Sequence, residues 1–157
     1  GIPRHVKVYP ADVQMIRPVA RRGRPPQRIP DTLSVAAEDV LTTAKWQNIS
    51  RTGTKGKLRA RFAAVRVRVA DGSPQRIKDK THQHLPGEQA WLIGEHRASG
   101  ERKYYLANLP AKTDLRTLAA TIKARCVCEQ AHQQLKEELG LDHFEAGPDK
   151  AFIVTRS

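Results

Sequence analysis

The chain has 157 residues, enough for one ordinary domain, and carries 28 lysines and arginines against 16 acidic residues, a formal net charge of +12. Such an excess says little of fold and much of partners. It points to a polyanion, nucleic acid first, and fits a ribosomal or chromosomal structural protein as well as an enzyme. No apolar run approaches the roughly 20 residues of a membrane span and no signal peptide is visible, so no membrane partner is expected and a cytosolic, reducing compartment fits. The first residue is Gly1 and not methionine, which implies processing or a piece of a longer chain.

Residues 2–9 alternate weakly between apolar and basic, and Val6 and Val8 predict a short strand. Arg17 to Pro30 holds four prolines, a glycine and five arginines. Proline removes donors and the arginines repel one another, so 10–30 is expected to be an extended linker, either a solvated connector or an arm that orders on DNA. Asp31 or Thr32 is placed to cap a helix over Leu33–Ala44, with Leu33, Ala36, Ala37, Val40 and Leu41 as its buried face. Trp46 to Ser50 predicts a strand. Arg51–Arg61 then reads as a glycine-punctuated cationic loop whose Lys55 and Lys57 are candidate DNA contacts. Its spacing is not that of a Walker loop.

Phe62 to Ala70 alternates most clearly: Val65, Val67 and Val69 share one face, and Arg66 and Arg68, also candidate DNA contacts, share the other. Asp71-Gly72 marks a turn, followed by a polar loop to Gln89 in which His82 and His84 lack companions for a tetrahedral metal site. Gln89–Arg97 and Arg102–Leu109 predict a hairpin around Ala98-Ser99-Gly100. Trp91, Tyr104 and Tyr105 are expected in the core, with stacking on an unpaired base as the alternative for one of them.

Thr113 to Gly140 predicts a long helix. Ala124, Val127, Cys128, Ala131, Leu135 and Leu139 form an apolar stripe along it, and Arg125, Glu129, His132 and Lys136 form a second line. A carboxylate between two cations suits a metal-dependent phosphate site, and equally a surface salt-bridge ladder. The two cysteines, Cys126 and Cys128, point about 160° apart on a helix; Cys128 is expected in the core and Cys126 to be incidental.

Arg125-x3-Glu129-x6-Lys136 matches most of the Tyr-x2-Arg-x3-Glu-x6-Lys signature of bacterial insertion-sequence transposases with a DDE, RNase H-like domain. The segments RFAAVRVRVADG, GEHRASGERKYYLANLP and EQAHQQLKEELGLDHFE resemble the same family. The resemblance implies that Glu129 is the third carboxylate of a Mg²⁺ site and that Arg125 and Lys136 contact transposon-end DNA. Ile122 stands where the signature has tyrosine, so that residue's role is not carried over. The two catalytic aspartates of the family come earlier than this chain begins, and Asp12 and Asp31 stand in a different context.

The fold class so implied is α/β (α+β), a fragment of an RNase H-like core with a β-rich insertion and a long C-terminal helix. Residues 1–9 would end a core strand, 31–109 form the insertion, and 113–145 carry the glutamate. After Phe144 the resemblance stops, and 146–157, with Gly147-Pro148, would be an aberrant tail. The implied function is cut-and-paste DNA transposition in a bacterial cytoplasm, at the nucleoid, by in-line attack on a phosphodiester with two metal ions. This chain alone would be a catalytically incomplete DNA-binding fragment, partnering transposon ends and a second copy or a full-length transposase. The alternatives are a non-catalytic basic nucleic-acid-binding module and a protein partner of the transposase.

Overall fold

The computed structural model describes residues 1–19, 23, 27–53, 56–76 and 82–139; for 51–53, 56–58, 75, 76 and 82 it describes the backbone alone. One compact unit spans Gly1–Ala120 and a second begins at Thr121. In chain order the first elements are β1 (Lys7–Pro10), β2 (Met15–Ile16), β3 (Ile29–Pro30), β4 (Val35–Ala36) and α1 (Ala37–Thr42). Then come β5 (Gln47–Gly53), β6 (Gly56–Val69), β7 (Pro74–Arg76) and β8 (His82–His84). The chain continues through β9 (Gln89–Arg97) and β10 (Arg102–Ala107) into α2 (Leu115–Glu138). The fold is thus mixed α and β, with an antiparallel sheet and a C-terminal helix. No helix among the described residues is long and apolar enough to cross a membrane.

The main sheet has the order β10-β9-β6-β1-β4, with β5 also pairing β6, and every pairing is antiparallel. Strand alternation decides what each face buries. Val8, Ala63, Val67, Leu92 and Tyr104 meet Ala37 and Leu41 of α1, with Trp46 and Val65 packed beside them. Phe62, Ile93 and Tyr105 are also buried, and register places them on the opposite face. Leu118, in the second turn of α2, lies beside Ala64 and Trp91 on that face. Hence β6 and β9 carry apolar residues on both faces, which only a sheet covered on both sides tolerates.

Several expectations are corrected by pairing between distant segments. Residues 2–9 do not stand apart from the 31–109 module: β1 lies between β6 and β4, and Ile2 bridges Tyr104. The helix expected from Leu33 starts at Ala37 because Val35 and Ala36 pair with Val8 and Lys7. Leu33 is consequently 68% exposed, and no side chain caps α1. Asp31 instead accepts the Gln14 amide at 3.2 Å while its own amide donates to the Gln14 carbonyl at 2.9 Å. That pair continues the β2–β3 ribbon, which closes the base of the expected linker.

The cationic "loop" at 51–61 is mostly strand, since β5 and β6 pair from Gln47↔Phe62 out to Gly53↔Gly56. Lys55, at the tip, lies outside the described residues. The polar stretch after Asp71 contains a second small ribbon, β7–β8, standing on a neck. There the Gly72 amide donates to the Leu85 carbonyl at 2.9 Å and the Gly87 amide to the Val69 carbonyl at 2.7 Å. A Cβ on Gly72 would lie 2.7 Å from that Leu85 oxygen, so only glycine passes. The hairpin at 89–109 matches expectation except that β10 ends at Ala107.

Gly94, on β9, faces Leu41 and Trp46; a Cβ there would stand 2.7 Å from Trp46 Cη2 and 2.9 Å from Leu41 Cδ1. Overpacking of this kind costs about 1–3 kcal/mol. Gly94→Ala is therefore expected to lower the unfolding free energy measured in urea by that much, and an unchanged midpoint would show that α1 is not seated on β9 as described.

Candidate nucleic-acid interface

The helix that carries the signature residues starts with a cap. Asp114 Oδ1 accepts the Thr117 amide at 3.3 Å, and hydrogen bonding from the Thr117 side chain first, with backbone amides adding to it, holds the Asp114 carboxyl below its ordinary pKa. Leu118, Ala119 and Ile122 are buried. The expected apolar stripe is not: Ala124, Val127, Cys128, Ala131, Leu135 and Leu139 are all exposed. The period of 3.6 residues places that stripe about 180° from the buried face. Cys126 is half-buried and Cys128 exposed, the reverse of the expectation, for the same reason.

Leu118, Ile122, Arg125, Glu129 and Lys136 instead share one side of the helix. Arg125 Nε and Glu129 Oε1 stand 2.9 Å apart, with side chains 77% and 58% exposed. His132 and Lys136 are exposed as well. Glu129 is thus a solvent-facing carboxylate already paired with a guanidinium. Among the described residues no group of three or more His, Cys, Asp or Glu is placed to hold a metal ion. A pair of Mg²⁺ ions needs several oxygen ligands, and Glu129 with its arginine does not fit that role by itself.

Arg66 and Arg68 are half-buried, and hydrogen bonds within the unit hold both. Arg66 Nη1 donates to the Leu109 carbonyl at 3.0 Å and Nη2 to Gln89 Oε1 at 3.2 Å, and its guanidinium lies 5.4 Å from the centre of the Trp91 ring. Trp91 Nε1 in turn donates to the Pro110 carbonyl at 3.0 Å. Arg68 Nε donates to the Gly87 carbonyl at 2.7 Å. Both arginines therefore tie connecting loops to the sheet. Lys57 sits opposite Thr52 on the β5–β6 ribbon; its side chain, like all of Lys55, lies outside what is described.

The cations left for a ligand are others. β9 pairs β6 only from Ala60 onward, so the far part of the β5–β6 ribbon reaches past β9. One face of that ribbon places Arg59 and Arg61 opposite Ser50 and Asn48. Arg59, Arg61, Asn48 and Ser50 are exposed, and no acidic residue occurs from Gln47 to Arg61. In the next row Arg61 stands opposite His96, and His96 opposite Arg102. Among the described residues no hydrogen bond or ion pair holds the guanidinium of Arg59, Arg61 or Arg102. The signal was in the sequence: cations at alternate positions through Gly56, legible once strand rather than loop is assumed.

A cleft of about 170 Å³ opens beside this row, lined by Glu38, Leu41, Thr42, Trp46, Arg61, His96, Arg102 and Tyr104. Trp46 and His96 meet edge to face, 6.4 Å between centroids at 75°. Of the three aromatics singled out in the sequence, Tyr104 lines this cleft, while Tyr105 is turned to the other face. There Tyr105 Oη donates to Glu95 Oε2 at 2.9 Å, and Arg97 Nε donates to Glu95 Oε1 at 3.0 Å. Arg97 Nη1 also donates to Glu101 Oε2 at 2.9 Å. Burial opposes the charge on Arg97, yet Glu95 and Glu101 hold its pKa above the ordinary value. Glu95 is 1% exposed, and sequence reasoning missed it because a glutamate in a strand is ordinarily a solvent-side residue.

The chain matches no family model, and no curated protein and no solved structure is significantly similar to it.

The two carboxylates separate by environment. Glu95→Ala removes a charged acceptor from two buried or half-buried donors and is expected to cost about 1.5–3 kcal/mol. Arg125→Ala breaks only an exposed i,i+4 pair, worth about 0.2–0.5 kcal/mol. Urea unfolding of both variants checks the contrast; equal effects would contradict it.

Proposed function

We propose that this chain is a DNA-binding part of a cut-and-paste DNA transposase that does not complete a catalytic centre by itself. One observation carries the DNA-binding part: an acid-free β-ribbon face whose Arg59 and Arg61 are exposed and unpartnered among the described residues. A two-stranded ribbon fits the major groove of B-DNA, roughly 12 Å wide, with cations on phosphates and the Asn48 and Ser50 side chains within reach of base edges. The transposase part rests on the Arg125-x3-Glu129-x6-Lys136 spacing and the segments that accompany it.

On that reading Arg125 and Lys136 meet transposon-end DNA, and Glu129 supplies one carboxylate to a Mg²⁺ site that these residues do not complete by themselves. No cleavage step follows from one carboxylate, and none is assigned to this chain. A second reading, a non-catalytic nucleic-acid-binding module, is favoured by the Arg125–Glu129 ion pair, which occupies the only carboxylate of the signature.

Two measurements test the proposal. With about five phosphates neutralised, the log–log salt slope for duplex binding is expected near −4 to −5. Arg59→Gln should reduce its magnitude by about one. Arg66→Gln should lower stability and leave the slope alone; a slope near zero in the parent chain would remove DNA as the partner. The isolated chain is also expected not to nick DNA with Mg²⁺ or Mn²⁺, and nicking abolished by Glu129→Ala would overturn the claim of incompleteness.

A further inference from the structure

The cleft at the root of the ribbon has a chemistry that duplex binding does not use. Three residues with aromatic rings, Trp46, His96 and Tyr104, line it together with Leu41 and Thr42, two arginines, Arg61 and Arg102, and one acidic residue, Glu38. We propose that this cleft holds one unpaired, amine-bearing base of a single DNA strand, whose backbone runs along Arg59, Arg61 and Arg102. The inference rests on the DNA-binding reading above and adds to it a substrate form, single-stranded, and a base preference.

The geometry supports each part. Arg61, His96 and Arg102 occupy one row across three strands, so their two arginines start about 10 Å apart, two strand spacings, with the imidazole between them. Two cations on one row, neither held by a partner among the described residues, suit successive phosphates flanking a nucleoside. The Trp46 ring cannot turn freely, because its Nε1 donates to the Leu41 carbonyl at 3.0 Å and its edge lies against Gly94. It is therefore a fixed apolar wall, as base-stacking platforms require.

Size decides how much enters. About 170 Å³ lies well below the roughly 300–1,000 Å³ of pockets that enclose a whole drug-sized ligand. One planar ring system fits that description, with sugar and phosphate left outside. A base stacked within a duplex presents only its edge, so the ring must come from an unpaired strand. Glu38 makes the site more than an anion trap. It lines the cleft near cations, its Oε2 3.9 Å from Arg4 Nε, and a carboxylate there disfavours phosphate inside the cleft. What it accepts is an N–H, as carboxylates do from the exocyclic amine of cytosine. Thymine offers a carbonyl at that position and is disfavoured.

The test is binding of the whole chain, by fluorescence anisotropy at low salt, to labelled oligo(dC), oligo(dT) and a mixed duplex of equal length. Oligo(dC) is expected to bind about 2–10-fold tighter than oligo(dT), the ratio one hydrogen bond gives. Glu38→Gln, whose amide serves both bases, should erase that preference. Arg102→Gln should weaken single-strand binding and reduce its salt slope by about one, with duplex binding unchanged. Trp46→Leu should cost about tenfold on single strands, and the two surface substitutions keep the test decisive if that variant does not fold. Equal binding of oligo(dC) and oligo(dT), with Glu38→Gln and Arg102→Gln like the parent while the duplex still binds, overturns the cleft proposal alone. Failure of the parent to bind any of the three overturns the DNA-binding reading and this inference together.

Discussion

The structure depends on β6 being hydrogen-bonded along both edges. On one side it pairs β9 from Ala60 to Arg68; on the other it pairs β5 as far as Phe62 and then β1 from Val67. A strand held this way has its register fixed by three neighbours, and register is all-or-none in its effect on faces. A slip of one residue would turn Val65 and Val67 away from α1 and put Arg66 and Arg68 there. It would also break the row Arg61–His96–Arg102. The ribbon, the cleft and the core are consequently three results of one pairing pattern, and the basic tip is an extension of the most constrained strand in the molecule.

The arginines divide according to what that strand does with them. Those on the face of Phe62 and Ile93 meet carbonyls of connecting loops: Arg66 reaches Leu109 and Arg68 reaches Gly87. Their planar forks and apolar stems make them fasteners, and the Trp91 ring stacked with Arg66 adds to the hold. Arg66 Nε is buried with no hydrogen-bond partner among the described residues, a cost of about 1–3 kcal/mol that its other two nitrogens and the ring offset. On the opposite face Arg59, Arg61 and Arg102 are exposed, and among the described residues no hydrogen bond or ion pair holds their guanidinium groups. Net charge alone could not distinguish these groups, because both count equally toward +12.

What the sequence made legible was what local periodicity encodes. The alternation of Phe62–Ala70, the two halves of the β9–β10 hairpin and the existence of α2 all follow from side-chain patterns a few residues long. What it concealed depended on distant partners. Gly53, Gly56 and the surrounding cations resemble a loop until Gln47–Gly53 is known to lie alongside. Leu33 to Ala36 resembles a first helical turn until β1 claims Val35 and Ala36 as strand. In α2 the more numerous apolar residues, from Ala124 to Leu139, suggested the buried side, yet Leu118 and Ile122 on the other side are the ones enclosed. The candidate site shifted accordingly. Glu129 and Arg125 were found where helical spacing put them, paired with each other, whereas Glu38, His96 and Arg102 come together from three elements that no short motif spans.

The neck beneath β7–β8 has a consequence for how this fold tolerates change. Two backbone hydrogen bonds, from the Gly72 amide to the Leu85 carbonyl and from the Gly87 amide to the Val69 carbonyl, return the chain to the end of β6 almost where it left. Among the described residues of the span, the side-chain contacts that reach it from the rest of the unit are the Tyr9 hydroxyl on the His84 carbonyl, Arg68 on the Pro86 carbonyl and Gln83 on Ser34. Closing a longer or shorter loop over such a neck changes entropy only slowly with length. The segment is therefore a natural graft point, where a foreign epitope or a second binding loop could be spliced in while β6, its neighbours and the arginine row keep their places.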